Sequence, residues 1–509
     1  MSRLTRISIL LAVCFALDKG LAILRQVVIA RQFGLSSELD AFNVANNIPD
    51  LLFALISGGA LAIAFIPVLS EVLTLEGRQA AWTLFSNIAN LAFLITAALA
   101  VIVAFLAVPL VQGELGIAPG FEADQQALVV DLMRLNLVAT LIFSISGLVM
   151  AGLQANQHFL LPAVAPLLYN LGQIFGALIL APEIGYRILG IQLPAFGLGV
   201  HGLVFGVIIG ALLHIGIQVP GLLKFQFHWS PILQLHNPSV QKVLRLMGPR
   251  LVTMLCVQLI FLVRDNLASR LAEGAVTALT YGWMLQQVPE TLIGTAIGTA
   301  ILPTLAELFS QQDRLNYQTV IERAVRVLVA LTIPIGVILA LGLRPLVAFA
   351  FGFDAAGTDL IMWVTRGFLL GLVGHCLLEV AARSFYAQQN AILPLIAAVI
   401  NVVIYISLGS VLYRVLGAPG ISLTDSIAFT SQAVLLLYLL NRRFDEKIRV
   451  SATLLRSLAA ALLAAGVVAG VVWLSAGRYP LVVAILAMGL GALAALPLVW
   501  REVRILVRL

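Results

Sequence analysis

Apolar runs of eighteen or more residues recur from end to end of the chain, separated by short polar breaks. Each run matches the roughly 20 helical residues that cross a hydrocarbon core of about 30 Å. Stretches such as Leu91 to Leu110 are apolar on every side, which excludes the alternating ten-residue strands of a membrane barrel. Helices satisfy their own backbone groups inside lipid, so they are the structure that fits. The pattern predicts about fourteen spans, near 7–30, 42–72, 82–110, 125–153, 160–181, 199–223, 246–268, 277–306, 324–351, 360–382, 391–412, 420–440, 453–475 and 481–500, by that roughly 20-residue criterion. The first run carries Asp18, Lys19 and Arg25 and no small-residue cleavage pattern, so it reads as a retained helix and not a signal peptide.

Composition agrees. Hydrophobic residues make up 61% of 509 positions and charged residues 11%, where a soluble domain has roughly 45–50% and about 25%. The net charge of +6 is spread over helix ends, which argues for membrane topology and against a nucleic-acid partner. Lysine and arginine collect in the breaks near 224–245, 307–323 and 441–456 and in the tail with Arg501, Arg504 and Arg508, while the 111–124 connection holds Glu114, Glu122 and Asp124 and no basic residue. The positive-inside rule then places both termini in the cytoplasm, together with Arg3 and Arg6. Cys14, Cys256 and Cys376 lie in separate apolar runs without CxxC or Cys/His spacing, so neither a disulfide framework nor a metal site is expected.

The chain repeats itself. LRQVVIARQFG around Arg25 runs on to Ile48-Pro49-Asp50, and VRDNLASRLAEG around Arg264 runs on to Val288-Pro289-Glu290, an offset of about 240 residues. IPVLSEV at 66–72 resembles LPTLAEL at 302–308, and LQANQHFLLP ending at Pro162 aligns without a gap on FYAQQNAILP ending at Pro394. The expected organisation is an N-terminal lobe of six helices (1–223), a cytoplasmic linker (224–245), a C-terminal lobe of six helices (246–440), and two further helices with a basic tail (441–509). Repeats of the same starting orientation imply a substrate cavity between two halves.

Ionisable groups inside spans cost about 2.5–3.5 kcal/mol at the helix centre on insertion scales, and they usually face a cavity or a partner. On the first helix residues 18, 25 and 29 share one face, with Lys19 about 100° round from Asp18. A basic stripe of Lys19, Arg25 and Arg31 suits an anionic substrate, and Arg264 holds the repeat position of Arg25. Two arginines make a plausible diphosphate clamp, since the planar guanidinium binds phosphate oxygens in pairs. The competing reading is that Asp265 and other carboxylates neutralise them structurally. Asp40 opens the second helix, either as an N-terminal cap or as a partner of a first-helix arginine. His375 and Glu379, at i and i+4, face one way and suit proton or cation coupling, with a structural pair as the alternative. Gly58-Gly59 with Pro49 and Pro67, and Gly294 and Gly298 with Pro289 and Pro303, permit bent helices in the second and eighth spans. No GxxxxGK[ST], HExxH or GxSxG in a strand-to-helix context is present, so no enzyme is expected.

The run LRQVVIARQFGLSSELDAFNVANNIPDLLFALISGGALAIAFIPVLSE from Leu24 to Glu71, LMGPR at 246–250, IGTAILPTLAE at 297–307 and PAVAPLLYN ending at Asn170 resemble the MurJ (MviN) family of the MOP flippase and exporter superfamily. The resemblance covers essentially the whole chain. It implies an all-α, MATE-like membrane fold of fourteen helices in two lobes, a bacterial plasma-membrane location, and flipping of the undecaprenyl-diphosphate-linked peptidoglycan precursor lipid II by alternating access. It also implies functional roles for Lys19, Arg25 and Asp40. Expected partners are that lipid-linked precursor, membrane lipids and the cell-wall synthesis machinery. No cofactor is expected, and the drive is the membrane potential or a proton or cation gradient. The chain departs from the family in Pro49-Asp50-Leu51-Leu52-Phe53, where two arginines and a glutamate are usual downstream, and at Trp283, Met284 and Gln287 in the eighth span. Those departures keep two other readings open: an exporter of another lipid-linked oligosaccharide, and a MATE-type antiporter.

Overall fold

The computed structural model describes residues 3–56, 59–188, 190–444, 447–475 and 479–506. Gly58 and Arg508 lie outside them, as do the side chains of Arg3, Arg6 and Arg250. The structure is all-helical apart from a two-residue antiparallel ribbon pairing Arg187 with Gln192 and Ile188 with Ile191. Packing divides it into two compact units, Met1–Arg270 and Leu271–Leu509.

The first unit contains α1 (Arg3–Phe33), α2 (Ser37–Ala45), α3 (Asn47–Ile56), α4 (Gly59–Leu75), α5 (Arg78–Phe105), α6 (Ala107–Gln112), α7 (Ala123–Ala155), α8 (Leu160–Phe175), α9 (Gly199–Gly216), α10 (Val219–Lys224) and α11 (Pro238–Ala268). Among the described residues, twelve helical segments in the whole chain are long and apolar enough to cross a membrane. The other two expected spans are α1, whose 31 residues reach about 46 Å, and the second span, broken into α2, α3 and α4. The break has a local cause: Pro49 has no N–H to give the Ala45 carbonyl, and the chain leaves the helix at Asn46.

The contact of α8, and of the π-helical turn Gly176–Leu180 that continues it, with α9 rests on four glycines. A Cβ on Gly172 would lie 2.4 Å from Gly210 Cα, and one on Gly176 would lie 2.6 Å from Gly206 Cα. Helix approach this close is what small residues four apart permit in a membrane. It fixes α8 against α9, and α8 in turn packs on α1.

The 224–245 break is ordered. Ser86, Asn87 and Asn90 on α5 supply its backbone bonds: Asn90 Nδ2 donates to the carbonyls of Ser230 (2.8 Å) and Ile232 (2.9 Å), Asn87 pairs with both backbone groups of Gln234, and Ser86 Oγ accepts from Ser230 N. Phe227 packs edge-on against Trp82 and Phe85. Beyond it, α11 packs on α3 and α4, so the helix that sequence repetition assigns to the second lobe belongs by packing to the first unit. Its C-terminal end clamps the 113–121 loop. Asn266 Nδ2 donates to the Glu114 and Gly116 carbonyls, Arg270 pairs with Glu114 at 2.9 Å, and Gly120 N donates to Ser269 Oγ.

The second unit contains α12 (Ala275–Pro289), a π-helical turn Glu290–Thr295, α13 (Ala296–Ser310), α14 (Arg314–Gly342), α15 (Arg344–Phe351), α16 (Ala355–Leu370), α17 (Leu372–Ala387), α18 (Ile392–Leu416), α19 (Ala418–Asn441), α20 (Ser451–Leu474) and α21 (Pro480–Leu506). The two last helices pack on α14 and on each other. Buried Glu502 ties them in, accepting from Arg456 at 2.6 Å and Thr453 at 3.2 Å, with Arg326 of α14 at 3.7 Å. They are therefore part of this unit and not a separate appendage.

Two helix endings that align in sequence share one local geometry. Gln157 and Gln389, aligned in sequence, both have φ of 56°. Each sits in the same helix-ending turn, with His158 N bonded to Leu153 O at 2.9 Å and Asn390 N to Phe385 O at 3.0 Å. That six-to-one bond is the Schellman ending.

Candidate functional site

The first helix is where the structure gathers polar chemistry. Asp18 and Arg25 are two turns apart on one face of α1, and Asn170 of α8 reaches between them. Arg25 Nη1 donates to Asn170 Oδ1 at 3.0 Å, and Asn170 Nδ2 donates to Asp18 Oδ1 at 2.9 Å. Arg25 is half-buried, and its Nε is enclosed with no hydrogen-bond partner. Lys19 is exposed beside Asp18. With Asp18 answered by Asn170 and one guanidinium nitrogen used, the face keeps further N–H donors and a net positive charge. Such a face binds an anion with several oxygens.

Arg264 stands differently. It is 7% exposed, its Nε donates to Asp265 at 2.6 Å, and its guanidinium lies 5.1 Å from the Phe261 ring centre. Asp265 is fully buried and also accepts from Asn47 Nδ2 at 2.6 Å. Asn46, beside it, accepts from Asn136 at 2.7 Å and donates to the Phe42 carbonyl. The Arg264–Asp265 pair thus braces the break in the second span, which corrects the expectation of two equivalent open arginines: repeat position did not carry equal exposure.

Asp40 does not cap its helix. Ser36 does, with its Oγ accepting from Leu39 N at 3.2 Å; Asp40 lies in the first turn at 1% exposure. Arg31 is exposed in the last turn of α1, where a cation complements the helix dipole.

His375 and Glu379 are on one face, as expected, but do not pair. Glu379 forms its ion pair with Arg383, which also donates to Thr299 Oγ1. His375 is held by Asp425 at 2.9 Å, stacks on Phe429 at 4.2 Å, and has Glu290 at 3.7 Å. A cavity of about 340 Å³ in the first unit is lined by Leu55, Ile88, Leu91, Met247, Leu251 and Leu255 among other apolar residues; it has no group to bind a charged head. No cluster of three or more His, Cys, Asp or Glu residues suited to a metal ion occurs among the described residues.

Comparison with known proteins follows the same lines. The family model "Lipid II flippase MurJ" matches residues 29–489. The lipid II flippase MurJ of Burkholderia cenocepacia is 31% identical over 438 residues, which cover 83% of this chain and 81% of that one. The chain belongs to the lipid II flippase MurJ family. Among other relatives, the probable lipid II flippase MurJ of Bdellovibrio bacteriovorus is 27% identical over 472 residues, 89% of this chain and 84% of the relative. Among solved structures, a lipid II flippase MurJ in an inward closed conformation superposes with a TM-score of 0.79 at 22% identity, over 97% of this chain and 99% of that one. A multidrug resistance MATE transporter of the MOP superfamily, inward-facing, gives 0.67 at 14% identity over 87% and 98%. The fold of this MurJ-family chain is therefore the MOP transporter fold, a multi-pass membrane protein, as its sequence led us to expect.

Three participants were not singled out from sequence as site residues: Asn170, Asp425 and Glu290. Their signal was there. Asp425 is the sole acidic residue of α19, and Glu290 is the sole one between Ala275 and Ala306. A lone carboxylate in a span implies a partner on another span.

Proposed function

We propose that the chain flips the undecaprenyl-diphosphate-linked peptidoglycan precursor lipid II from the cytoplasmic to the outer leaflet of the bacterial plasma membrane, exposing one site to each leaflet in turn. The observation that carries this reading is the Arg25 guanidinium, held by Asn170 with Lys19 alongside: donors and positive charge on a largely apolar stretch of helix, the complement of a lipid diphosphate. Family membership supports the same cargo, since the relatives are named for it. Arg25 and Lys19 bind the diphosphate, Asp18 and Asn170 position Arg25, and Arg264 with Asp265 keeps the second span broken. Arg31 and Asp40 flank this face. Both termini lie on the cytoplasmic side, and contacts with the cell-wall synthesis machinery deliver the cargo. The drive is the membrane potential or an ion gradient.

The test is reconstitution of the full chain in liposomes with fluorescently labelled lipid II. Arg25→Ala slows flipping at least about tenfold, the size of one lost charge-assisted bond, and Arg25→Lys falls between, having the charge without the fork. Full activity of Arg25→Ala overturns the assignment. Labelled lipid-linked saccharides of other head groups, run alongside, separate a lipid II flippase from an exporter of a different cargo.

A further inference from the structure

We propose that His375, Asp425 and Glu290 form a proton-binding site inside the second unit, and that its protonation couples transport to a proton gradient. The coupling half rests on the flippase reading above; the proton site does not.

The three groups come from three elements: His375 from α17, Asp425 from α19, and Glu290 from the π-helical turn after α12. They are enclosed. His375 Nε2 is within 2.9 Å of Asp425 Oδ2 and its ring lies flat on Phe429, so the imidazole has one orientation. On the other side Nδ1 is 3.7 Å from Glu290 Oε1, beyond hydrogen-bond length. The site is half closed: one carboxylate is joined to the ring and the other waits.

With two carboxylates the cluster holds two negative charges around a neutral imidazole and still one around a protonated imidazole, a charge that low-dielectric surroundings penalise. Other charged groups on the helices packed around it do not answer that charge. Glu379 pairs with Arg383, Glu322 with Arg326 and Asp359 with Arg344. Arg366 donates to the Ala340 carbonyl, Arg414 bonds to Tyr413, and Glu307 accepts from Gln311. Arg314 and Arg323 on α14 are exposed. The Cys376 thiol and the Tyr281, Tyr317 and Tyr405 phenols bring no positive charge. Protons are what remain to balance it.

Gln286 is the independent sign. It is fully buried; its Nε2 donates to Glu290 Oε2 at 3.1 Å, and its Oε1 has no partner. An orphaned buried acceptor calls for an explanation. A carboxamide presents a donor or an acceptor to the same neighbour by a half-turn about its last bond. Facing Glu290 as carboxylate it donates. Facing Glu290 as carboxylic acid it accepts the new O–H. Gln286 is thus built to serve both charge states of Glu290.

The proton enters as Glu290 carboxylate becomes carboxylic acid and leaves by the reverse step, with no other bond made or broken. Its effect on shape follows from packing. Glu290 opens a π-helical turn, a form that often marks functional sites, and a Cβ on Gly294 in that turn would lie 2.8 Å from Cys376 Cα. The turn bearing Glu290 is therefore pressed against the residue next to His375, and a change in the Glu290–His375 gap is passed straight to α17.

Infrared difference spectroscopy of the full chain in membranes, on acidification, tests the site without transport. The expected result is a carboxylic-acid carbonyl band that shifts on carbon-13 labelling of glutamate and disappears in Glu290→Gln. Glu290→Asp keeps a carboxyl and leaves a band that glutamate labelling no longer shifts, which decides the point where the glutamine variant does not fold. No band, or a band unmoved by glutamate labelling, overturns the proposal. In liposomes, one pH unit of imposed gradient alters wild-type flipping of labelled lipid II by up to about tenfold for one coupled proton, and Glu290→Gln loses that response. Equal responses in the two proteins, or a wild type driven by a sodium gradient in place of protons, overturn the coupling. A wild type that moves no lipid II while showing the glutamate band would sink the cargo assignment and leave the proton site standing.

Discussion

Asn170 holds Arg25 from a neighbouring helix, accepting from Nη1 at 3.0 Å while its own nitrogen donates to Asp18. The guanidinium is therefore positioned by α8 as much as by the helix that carries it. Asn170→Ala removes a bond to a charged group, about 1.5–3 kcal/mol, and is expected to slow lipid II flipping about tenfold with little change in melting temperature. Asn170→Asp is expected to be worse, because it pairs Arg25 with an anion that competes with the diphosphate. Flipping rates in liposomes check both.

Asp265→Asn removes the carboxylate that pairs with buried Arg264. Breaking a buried pair this way costs about 3–5 kcal/mol, so folded yield and thermal stability in detergent should fall sharply. Replacing both residues together, Arg264→Met with Asp265→Leu, should recover much of the loss. Failure of the double variant to recover would mean that the Asn47 bond to Asp265 matters more than the charge.

Gly120 sits against the end of α11, where a Cβ would meet Arg270 Cα at 2.5 Å and Ser269 O at 2.6 Å. Both are backbone atoms and cannot rotate away. Gly120→Ala should destabilise the first unit by about 1–3 kcal/mol or more, the usual cost of overpacking. Protease cleavage within 113–121 should speed up accordingly.

His158 lies outside the spans, and desolvation, then the Lys224 charge, holds its imidazole below the ordinary histidine value. The unfolded chain therefore takes up a proton at this position before the folded one does. The stabilising contribution is complete above about pH 6.5 and is lost as pH falls through the depressed folded value. Histidine 158 replaced by glutamine, His158→Gln, should flatten that part of the curve of melting temperature against pH. An unchanged curve would mean that other groups govern it.

Membrane class and most of the spans were legible because each depends on long averages of hydropathy that no single contact can override. Side-chain pairing was legible only in part. Asp18 and Arg25 follow from helical spacing within one segment, whereas Asn170 meets them through an approach that Gly172, Gly176, Gly206 and Gly210 allow. The same reason explains His375: spacing on α17 offered Glu379, and tertiary packing supplied Asp425 from 50 residues away. Repeat position also misled at Arg264, since an adjacent aspartate neutralises it where Arg25 has glutamine next in sequence. The linker looked like a polar break because Ser86, Asn87 and Asn90, which hold it, are scattered in an apolar run.

The helix endings at Gln157 and Gln389 recur elsewhere in the chain: Gln226 and Gln312 also take positive φ, at 54° and 59°. Glycine takes positive φ at no steric cost, and a glutamine there is strained. The strain therefore belongs to a way of stopping helices and not to one pair of positions. Gln157→Gly and Gln389→Gly are then expected to stabilise the protein slightly and equally, by about 1 kcal/mol each, read as a rise in melting temperature.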